Sequence, residues 1–215
     1  MRVLAGSKIY ELTASELYEK IGAKSPVCVD IGTGSGRYVL TNARTNSGGF
    51  YIGLDPVPDN MMQNSLRTQK LNKKNGTINS LFVVASIEKI PRELELLSDV
   101  VTVHLPWGSL RDGIVRCDPA VMGNLRRLGK SGARLVIIIG YDEQTEAAER
   151  EKRGLPPLSR QSILGLSGSY RRAGIRLNTV SVLDNKALQS VETDWAKRLA
   201  YGMPRQMYEV VCEYV

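Results

Sequence analysis

The sequence predicts an α/β fold built on a seven-stranded, mostly parallel sheet with helices on both faces and a small N-terminal hairpin. Two observations support this fold class. Apolar runs alternate with segments of helical pattern along most of the chain, which is typical of repeated βαβ units. The first strand-like run, 27–31, opens directly into a glycine-rich loop at 32–36, where open α/β sheets bind their ligands. With 215 residues and 42% hydrophobic content, we expect one domain over 1–215.

The strands and helices can be placed along the sequence. Seven runs have the length and apolar content of strands, and they lie at 27–31, 50–54, 81–85, 100–105, 133–140, 175–182 and 206–214. Crossover helices between the first five strands are predicted near 36–45, 59–73, 91–97 and 119–128. Ahead of them, residues 1–10 favour a hairpin. Thr13 and Glu16 have the spacing of a capping box, which predicts a short helix that ends at Gly22.

Two segments are longer than a simple connection requires, and long loops in compact domains are often functional. They extend from 141 to 159 and from 184 to 203, and both contain clustered basic residues. Each follows a strand at the carboxyl edge of the predicted sheet, where open α/β folds bind ligands. We therefore expect both loops to take part in recognition.

The charge balance is compatible with a polyanionic partner. Lys and Arg exceed Asp and Glu by 29 to 22, which gives a net charge of +7 and a pI near 9.4. A basic enzyme with no nucleic-acid role explains the composition equally well. The helix after Asp59 carries Arg67, Lys70 and Lys74 at spacings that form one cationic face, although such a stripe is most often a solvated surface.

Composition also bears on location. No apolar stretch is long enough to span a membrane, and the N-terminal residues lack the apolar segment of a secretion signal. The three cysteines are widely spaced and form no C-x-x-C pair, which favours free thiols in a reducing compartment. We expect a cytoplasmic protein with no membrane association and no bound metal.

The glycine loop indicates the kind of ligand. It reads D-x-G-x-G-x-G from Asp30, whereas dinucleotide-binding loops read G-x-G-x-x-G. Asp30 would repel a pyrophosphate and attract a cation, while Asp55 ends the second strand and is placed to accept from two ribose hydroxyls. The pattern resembles the cofactor site of class I methyltransferases, whose ligand S-adenosylmethionine carries two cationic groups and no phosphate. A generic glycine-rich turn is the alternative, and the absence of a Tyr-x-x-x-Lys pair disfavours an NAD-dependent oxidoreductase.

An aromatic residue follows the fourth predicted strand. That strand continues into Pro106 and Trp107, next to the reactive end of a cofactor in a doubly wound sheet. Trp107 is suited to stack on a planar base, and the Pro106 carbonyl to accept from an exocyclic amine. A core tryptophan that closes the end of the sheet explains the motif equally well. His104 lies in an apolar run, so we assign it no catalytic role.

Five segments taken together are more selective than the glycine loop. They are D-I-G-T-G-S-G at 30–36, G-L-D-P at 53–56, L-P-W-G-S-L at 105–110, K-R-G-L-P-P-L-S at 152–159 and D-W-A-K-R-L-A-Y-G at 194–202. In this order, over nearly the whole chain, they resemble the aminoglycoside-resistance methyltransferases that modify N1 of adenine 1408 in 16S ribosomal RNA. The resemblance implies a class I, Rossmann-like methyltransferase fold that uses S-adenosylmethionine.

The resemblance also implies roles for individual residues. Trp107 and Trp195 match the two tryptophans that sandwich the flipped adenine, and Pro106 completes the expected catalytic set. The expected cofactor contacts are Asp30, Gly32, Gly34, Tyr38, Asp55, Ile87, Glu88, His104, Leu105, Ser109 and Thr193. The residues expected to face the RNA are Arg67, Lys70, Lys74, Glu146, Arg153, Arg198 and Arg205, with Glu146 beside the target base.

We expect the substrate to be the assembled 30S subunit, because a basic surface with few base-reading groups recognises the shape of folded RNA. The single docking face favours a monomer. Two alternatives stay open. A small-molecule methyltransferase would share the glycine loop and Asp55 but enclose an apolar pocket, and a non-catalytic rRNA-binding module would retain the fold alone.

Overall fold

The computed structural model describes residues 1–75, 79–141, 146–202 and 206–215, and of 73–75 it describes the backbone only. Within these ranges the strands are β1 (Arg2–Ala5), β2 (Lys8–Glu11), β3 (Val27–Ile31), β4 (Phe50–Asp55), β5 (Ser80–Val84), β6 (Ser98–His104), β7 (Gly129–Ile139), β8 (Ile175–Leu183) and β9 (Met207–Tyr214). The helices are α1 (Ala14–Ile21), α2 (Arg37–Thr45), α3 (Pro58–Asn75), α4 (Gly108–Arg116), α5 (Pro119–Leu128), α6 (Ala147–Lys152), α7 (Arg160–Gly165), α8 (Ser167–Arg172), α9 (Asn185–Gln189) and α10 (Asp194–Ala200).

The strand order of the sheet reverses at β3. It runs β2-β1-β5-β4-β3-β6-β7-β9-β8, so β4 pairs with one side of β3 and β6 with the other. Strands β5, β4, β3, β6 and β7 are parallel neighbours, whereas β9 lies antiparallel between β7 and β8. The carboxyl ends of strands at such a reversal leave a crevice in which open α/β folds bind ligands. The fold therefore places a site at the ends of β3, β4 and β6.

The predicted N-terminal hairpin is confirmed, and it extends the sheet. β1 pairs with β2 on one side and antiparallel with β5 on the other. Val3 and Leu4 are almost fully buried there, opposite Val83 and Phe82. Burial of these apolar side chains fixes the hairpin on the edge of β5. Over the described residues the sheet consequently has nine strands, where the sequence predicts seven and a separate hairpin.

The strands and most of the helices agree with the prediction. Each predicted strand lies within four residues of an observed one, and 27–31 coincides with β3. Helices α2, α3 and α5 lie close to their predicted positions. The capping box of α1 forms, because the Thr13 hydroxyl accepts from Glu16 N and the Glu16 carboxylate accepts from Thr13 N.

The crossover helix predicted at 91–97 is wrong. That segment forms only a short 3₁₀ turn, Arg92–Leu94. Pro91 immediately precedes this turn, and β6 already begins at Ser98. Too few residues remain between them to offset the cost of nucleating an α-helix.

The segments predicted as long loops contain short helices. α6 lies within 141–159, and α9 and α10 lie within 184–203. The last two begin at side-chain caps, because Asp184 accepts from Ala187 N and Thr193 accepts from Ala196 N. Helix α4 is absent from the prediction, since glycines at 108 and 113 weaken its helical pattern.

Apolar side chains cover both faces of the sheet. On β3, Val29 packs into a core on one face, whereas Cys28 packs into a second cluster with Val39 and Met61 on the other. This alternation follows from the two-residue period of a strand. In the ranges that the structure describes, no helix is both long and apolar enough to cross a membrane.

The start of β7 has no room for a side chain. A Cβ added at Gly129 would overlap the ring of the fully buried Tyr214. We expect Gly129→Ala to lower the free energy of unfolding by about 1–3 kcal/mol, since overpacking forces a core ring to move. Gly123→Ala on α5 is the control: its added Cβ meets nothing within 4 Å, and alanine stabilises a helix over glycine by about 0.5–1 kcal/mol. Urea denaturation measures the free energy of unfolding of both variants. Equal stabilities would contradict the close packing of Gly129 against the Tyr214 ring.

Candidate active site

A cavity of about 340 Å³ lies at the carboxyl ends of β3, β4 and β6. This volume is within the range of small-molecule sites. Ten of the residues predicted to contact the cofactor line it: Asp30, Gly32, Gly34, Asp55, Ile87, Glu88, His104, Leu105, Ser109 and Thr193. The predicted catalytic residues Pro106, Trp107 and Trp195 line it as well. The structure therefore brings the predicted cofactor and catalytic residues together, with one exception.

The glycine loop exposes its backbone to the cavity. Gly32, Gly34 and Gly36 have φ angles of 67°, 56° and 73°, in the left-handed region that residues with a Cβ rarely adopt. A Cβ added at Gly34 would meet nothing within 4 Å, so the loop is open on that side. Gly36 is also the N-cap of α2, whose first backbone N–H groups have no helical acceptor. The loop thus offers donors and a close approach to a ligand.

Asp55 ties the glycine loop to the end of β4. Its Oδ2 accepts from Gly34 N at 3.0 Å, and its Oδ1 accepts from Val57 N at 2.9 Å and from Asn60 Nδ2 at 3.1 Å. A carboxylate has about four lone-pair positions, so about one is left for a ligand. Asp55 has room for one ribose hydroxyl. The contact with two hydroxyls that the sequence predicts requires a ligand to replace one of these internal donors.

Asp30 is buried at the end of β3, with 3% of its surface exposed. Its Oδ1 accepts from the Thr102 hydroxyl at 2.7 Å and lies 3.4 Å from His104 Nδ1. These contacts fix the carboxylate at the base of the glycine loop.

Tyr38 is the exception among the predicted cofactor residues, because it does not line the cavity. Its ring packs edge-on against His104, with ring centroids 4.6 Å apart. Burial, together with the charge of Asp30, raises the pKa of Tyr38, so its phenol is neutral. Tyr38 supports His104, which differs from the direct cofactor contact that the sequence predicts.

Glu88 and Ser109 face each other across the cavity wall. The Ser109 hydroxyl donates to Glu88 Oε1 at 2.7 Å. This hydrogen bond is the main reason that the pKa of Glu88 lies below its ordinary value. The Glu88 carboxylate is therefore ionised at neutral pH.

The charges on the wall favour a cationic ligand. Among the described residues, four carboxylates line the cavity, from Asp30, Asp55, Glu88 and Asp194, against the single guanidinium of Arg37. S-adenosylmethionine has an ammonium and a sulfonium but one carboxylate, so its charge suits this wall. The open side of the glycine loop and the free position on Asp55 suit its ribose. The residues present fit the predicted cofactor.

The chain has two tryptophans, and they face each other on this cavity. The ring centroids of Trp107 and Trp195 are 5.4 Å apart, and the ring planes are tilted by 41°. Trp107 is 52% exposed and Trp195 is 44% exposed, which is uncommon for the largest apolar side chain. Trp107 immediately precedes α4, and Trp195 lies in the first turn of α10. The two helices thus present an exposed aromatic surface beside the cofactor residues.

A polar contact joins α10 to the glycine loop. Asp194 accepts from the Ser35 hydroxyl and, at 3.2 Å, from Arg37 Nη1. Because Asp194 precedes Trp195, the contact holds that ring beside the cofactor site. The sequence does not predict Ser35, Arg37 or Asp194 as site residues. The position of Asp194 between Thr193 and Trp195 is the only signal of its role that the sequence contains.

Glu146 lies on a second cavity, of about 20 Å³, which both tryptophans also bound. Its carboxylate accepts from Arg111 Nη1 at 2.9 Å. The structure thus places Glu146 beside the tryptophan pair. Arg111 is a further site residue that the sequence does not predict.

The residues predicted to contact rRNA are spread over a wide surface. Arg67 and Lys70 are exposed on the second half of α3. The helical rise puts Lys70 about 18 Å along the axis from Pro58 at the start of the helix. Arg198 is exposed on α10, and its guanidinium carbon lies 5.6 Å from the centre of the Trp195 ring.

The structure describes the other three predicted rRNA residues to different extents. Arg153 is on the surface, where it pairs with Glu149 and, at 3.0 Å, with Asp112. The side chain of Lys74 and the whole of Arg205 lie outside the described residues.

The strand order, the glycine loop led by Asp30 and the acid-lined cavity define a class I, S-adenosylmethionine-dependent methyltransferase. A family model described as NpmA: 16S rRNA (adenine(1408)-N(1))-methyltransferase matches residues 2–213. The chain belongs to this family.

Similar proteins agree with this membership. The chain is 35% identical over 212 residues to a 16S rRNA (adenine(1408)-N(1))-methyltransferase of Escherichia coli, which covers 98% of this chain and 97% of the relative. The crystal structure of the aminoglycoside resistance methyltransferase NpmB1 has 33% identity and a TM-score of 0.84, covering 100% of this chain and 99% of that one. A mutant 16S rRNA (adenine(1408)-N(1))-methyltransferase from Catenulisporales acidiphilia, solved with the cosubstrate SAM, has 29% identity and a TM-score of 0.88, covering 100% and 96%.

Ser109→Ala tests the cause of the Glu88 shift. We expect this change to raise the pKa of Glu88 toward its ordinary value, because the hydroxyl that stabilises the carboxylate is lost. In the wild-type protein the pKa of Glu88 is lower in the folded state than in the unfolded state. The stability that the Ser109 hydrogen bond contributes is therefore present above the unfolded-state pKa and is lost as the pH falls through the folded-state pKa. NMR titration of the carboxyl carbons measures the pKa of Glu88 in both proteins. Glu16 on α1 is the internal control, because its pKa is lowered by hydrogen bonds with Thr13. If the pKa of Glu88 does not change, another group causes the shift.

Proposed function

We propose that the chain methylates N1 of adenine 1408 in 16S rRNA with S-adenosylmethionine as methyl donor, and that this confers aminoglycoside resistance. The observation that carries the proposal is the exposed pair Trp107 and Trp195 on the acid-lined cavity. Two exposed rings beside a cofactor site suit a planar base that has been taken out of an RNA helix. Membership of the family supports the choice of adenine 1408 and of N1.

The reaction depends on orientation more than on acid–base chemistry. S-adenosylmethionine supplies an electrophilic methyl group. Adenine N1 has a lone pair in the plane of the ring, so no residue has to remove a proton from it first. Trp107 and Trp195 hold the base, and the Pro106 carbonyl accepts from its amino group and leaves N1 free. Alignment of this kind lowers the activation free energy by at most about 7–11 kcal/mol.

The spacing of the two rings implies that they separate when a base enters. A base stacked between two rings needs about 7 Å between them, because each stacked pair lies about 3.5 Å apart. The ring centroids of Trp107 and Trp195 are 5.4 Å apart. Both rings are about half exposed, so rotation into solvent is open to them. We therefore expect the aromatic pair to act as a clamp that opens around the base.

The partner that we propose is the assembled 30S subunit in the cytoplasm, with the enzyme acting as a monomer. Exposed cations such as Arg67, Lys70 and Arg198 are spread widely, which suits the shape of folded rRNA better than a short single strand.

Two alternatives are less well supported by the geometry. A small-molecule methyltransferase encloses its substrate in an apolar pocket, whereas Trp107 and Trp195 are open to solvent. A non-catalytic RNA-binding module has no use for a cavity lined by four carboxylates, because these repel phosphate.

Replacement of each tryptophan tests the clamp. We expect Trp107→Ala and Trp195→Ala each to lower methylation of 30S subunits by roughly 5- to 150-fold, since loss of one base–aromatic stack costs about 1–3 kcal/mol. The corresponding phenylalanine variants keep a ring and lose less. Primer extension across the decoding-site helix measures the product as a stop at adenine 1408.

Calorimetric titration with S-adenosylmethionine separates loss of the clamp from loss of the fold, because the alanine variants retain cofactor binding. Tyr18→Ala, which removes an equally exposed aromatic ring on α1, is the matched control and keeps wild-type activity. Wild-type rates in both alanine variants would refute the clamp. Absence of a stop at adenine 1408 with the wild-type enzyme would refute the target.

Salt dependence tests the docking surface. Binding to 30S subunits is expected to weaken steeply as salt rises, because each neutralised phosphate releases counterions. Lys70→Gln and Arg198→Gln should each lower the slope of log K against log salt by about one. Arg171→Gln is the control, since Arg171 lies on α8 just before the amino end of β8, at the opposite edge of the sheet. Equal slopes for all three variants would contradict docking through α3 and α10.

A further inference from the structure

One guanidinium is buried beside the tryptophan pair. Arg111 lies on α4, one turn after Trp107, and 3% of its surface is exposed. It lines the small cavity that Trp107, Trp195 and Glu146 also bound. A charged side chain is almost never fully buried unless it is paired. The partners of Arg111 therefore indicate what its burial achieves.

The guanidinium contacts two groups that surround the proposed base position. Nη1 of Arg111 donates to Glu146 Oε2 at 2.9 Å, and the guanidinium carbon lies 5.4 Å from the centre of the Trp107 ring. The ring of Tyr141 is a further neighbour, at 5.8 Å. Nε lies 3.5 Å from Asp112 Oδ1 but has no hydrogen-bond partner among the described residues.

This arrangement is a poor way to stabilise a core. A buried ion pair seldom contributes more than apolar residues of similar volume, and an unsatisfied Nε adds a desolvation penalty. The neighbouring buried residues of α4, Leu110 and Ile114, are apolar. A methionine at 111 would fill the same space without the charge. The charge of Arg111 thus requires an explanation other than stability.

We propose that Arg111 is a positioning residue for methyl transfer: its guanidinium holds the ring of Trp107 and the carboxylate of Glu146 in the orientation that receives the target base. The inference rests on the proposed function, because it assumes that a base lies between Trp107 and Trp195. Arg111 acts through these two neighbours and does not touch the reacting atoms.

The pairing with Glu146 also has an electrostatic consequence. Methylation at N1 gives the adenine ring a positive charge, which a nearby unpaired guanidinium would oppose. Glu146 cancels the charge of Arg111, so the pair presents no net charge to the base. Loss of Glu146 alone removes the carboxylate that is hydrogen-bonded to this buried cation and leaves Asp112 at 3.5 Å from its Nε, whereas loss of both residues leaves no cation there. Glu146→Gln is therefore expected to be more harmful than the double replacement.

A double-mutant cycle measures this coupling. We expect Arg111→Met to lower kcat on 30S subunits by about 10- to 100-fold, because a small displacement of groups that position the substrate can cost about 100-fold in rate. The KM changes little, because the docking cations are untouched. Glu146→Gln lowers kcat further, and adding Arg111→Met to it restores part of the loss. Arg111→Lys keeps the charge without the planar fork and recovers part of the activity. Arg171→Met removes an exposed arginine on α8, away from the site, and keeps wild-type kinetics.

Fluorescence reports on the clamp directly, because Trp107 and Trp195 are the two tryptophans of the chain. In a Trp195→Phe background, emission comes from Trp107 alone. Arg111→Met in this background is expected to shift the emission maximum and to increase quenching by acrylamide, since the ring loses its neighbour. Arg171→Met leaves the spectrum unchanged. A role in stability alone would move the unfolding midpoint and leave the native spectrum as it was.

The outcomes separate this inference from the proposed function. Wild-type kcat in Arg111→Met, while Trp107→Ala is impaired, would refute positioning by Arg111 and leave the clamp intact. Simple addition of the two losses in the cycle would equally refute action through Glu146. Wild-type activity in both tryptophan variants would instead remove the proposed function. Titration with S-adenosylmethionine verifies that each variant is folded, and if Arg111→Met fails to fold, Arg111→Lys carries the same kinetic and fluorescence tests.

Discussion

The site depends on the parallel pairing of β3 with β4 on one side and with β6 on the other. The register places Asp30 opposite Gly53 and Thr102, so that the three strands end at one edge of the sheet. Hydrogen bonds from Gly34 to Asp55 and from Thr102 to Asp30 then fix the acids around the glycine loop. A slip of one residue would turn each side chain to the opposite face. The acid-lined cavity therefore follows from strand register before any ligand is considered.

Polar contacts carry this geometry from the sheet to the aromatic pair. Asp194 binds Ser35 of the glycine loop and thereby sets the start of α10, which carries Trp195. The other ring follows Leu105, whose φ of 52° is strained for a residue with a side chain and costs about 1–3 kcal/mol. That strain is maintained because Leu105 is buried and its N–H donates to the Ile138 carbonyl. The cofactor site and the proposed base position thus share a wall, and different contacts fix its two halves.

The sequence predicts those parts of the site that local patterns determine. Asp30 and Asp55 each lie in the last two residues of an apolar strand, so their place at the sheet edge follows from the strand order that βαβ units favour. Arg111 and Asp194 escape prediction because their partners are distant in sequence: Glu146 for the first and Ser35 for the second. Helical periodicity gives no reason to bury an arginine. The joining of the hairpin to β5 is missed for the same reason, since long-range pairing leaves no local trace.

The movement of charge during transfer favours aromatic rings over acids for the proposed clamp on the base. Positive charge leaves the sulfonium and appears on adenine as N1 is methylated. Aromatic faces attract cations by about 0.5–2 kcal/mol, so in the proposed clamp Trp107 and Trp195 bind the charged ring more strongly than the neutral one. Interactions that strengthen toward the transition state accelerate a reaction. Glu146 neutralises the charge of Arg111, so Arg111 does not oppose the positive charge that develops on the adenine. Arg198 does oppose that charge, but it lies in the solvent, where salt and RNA phosphates screen it.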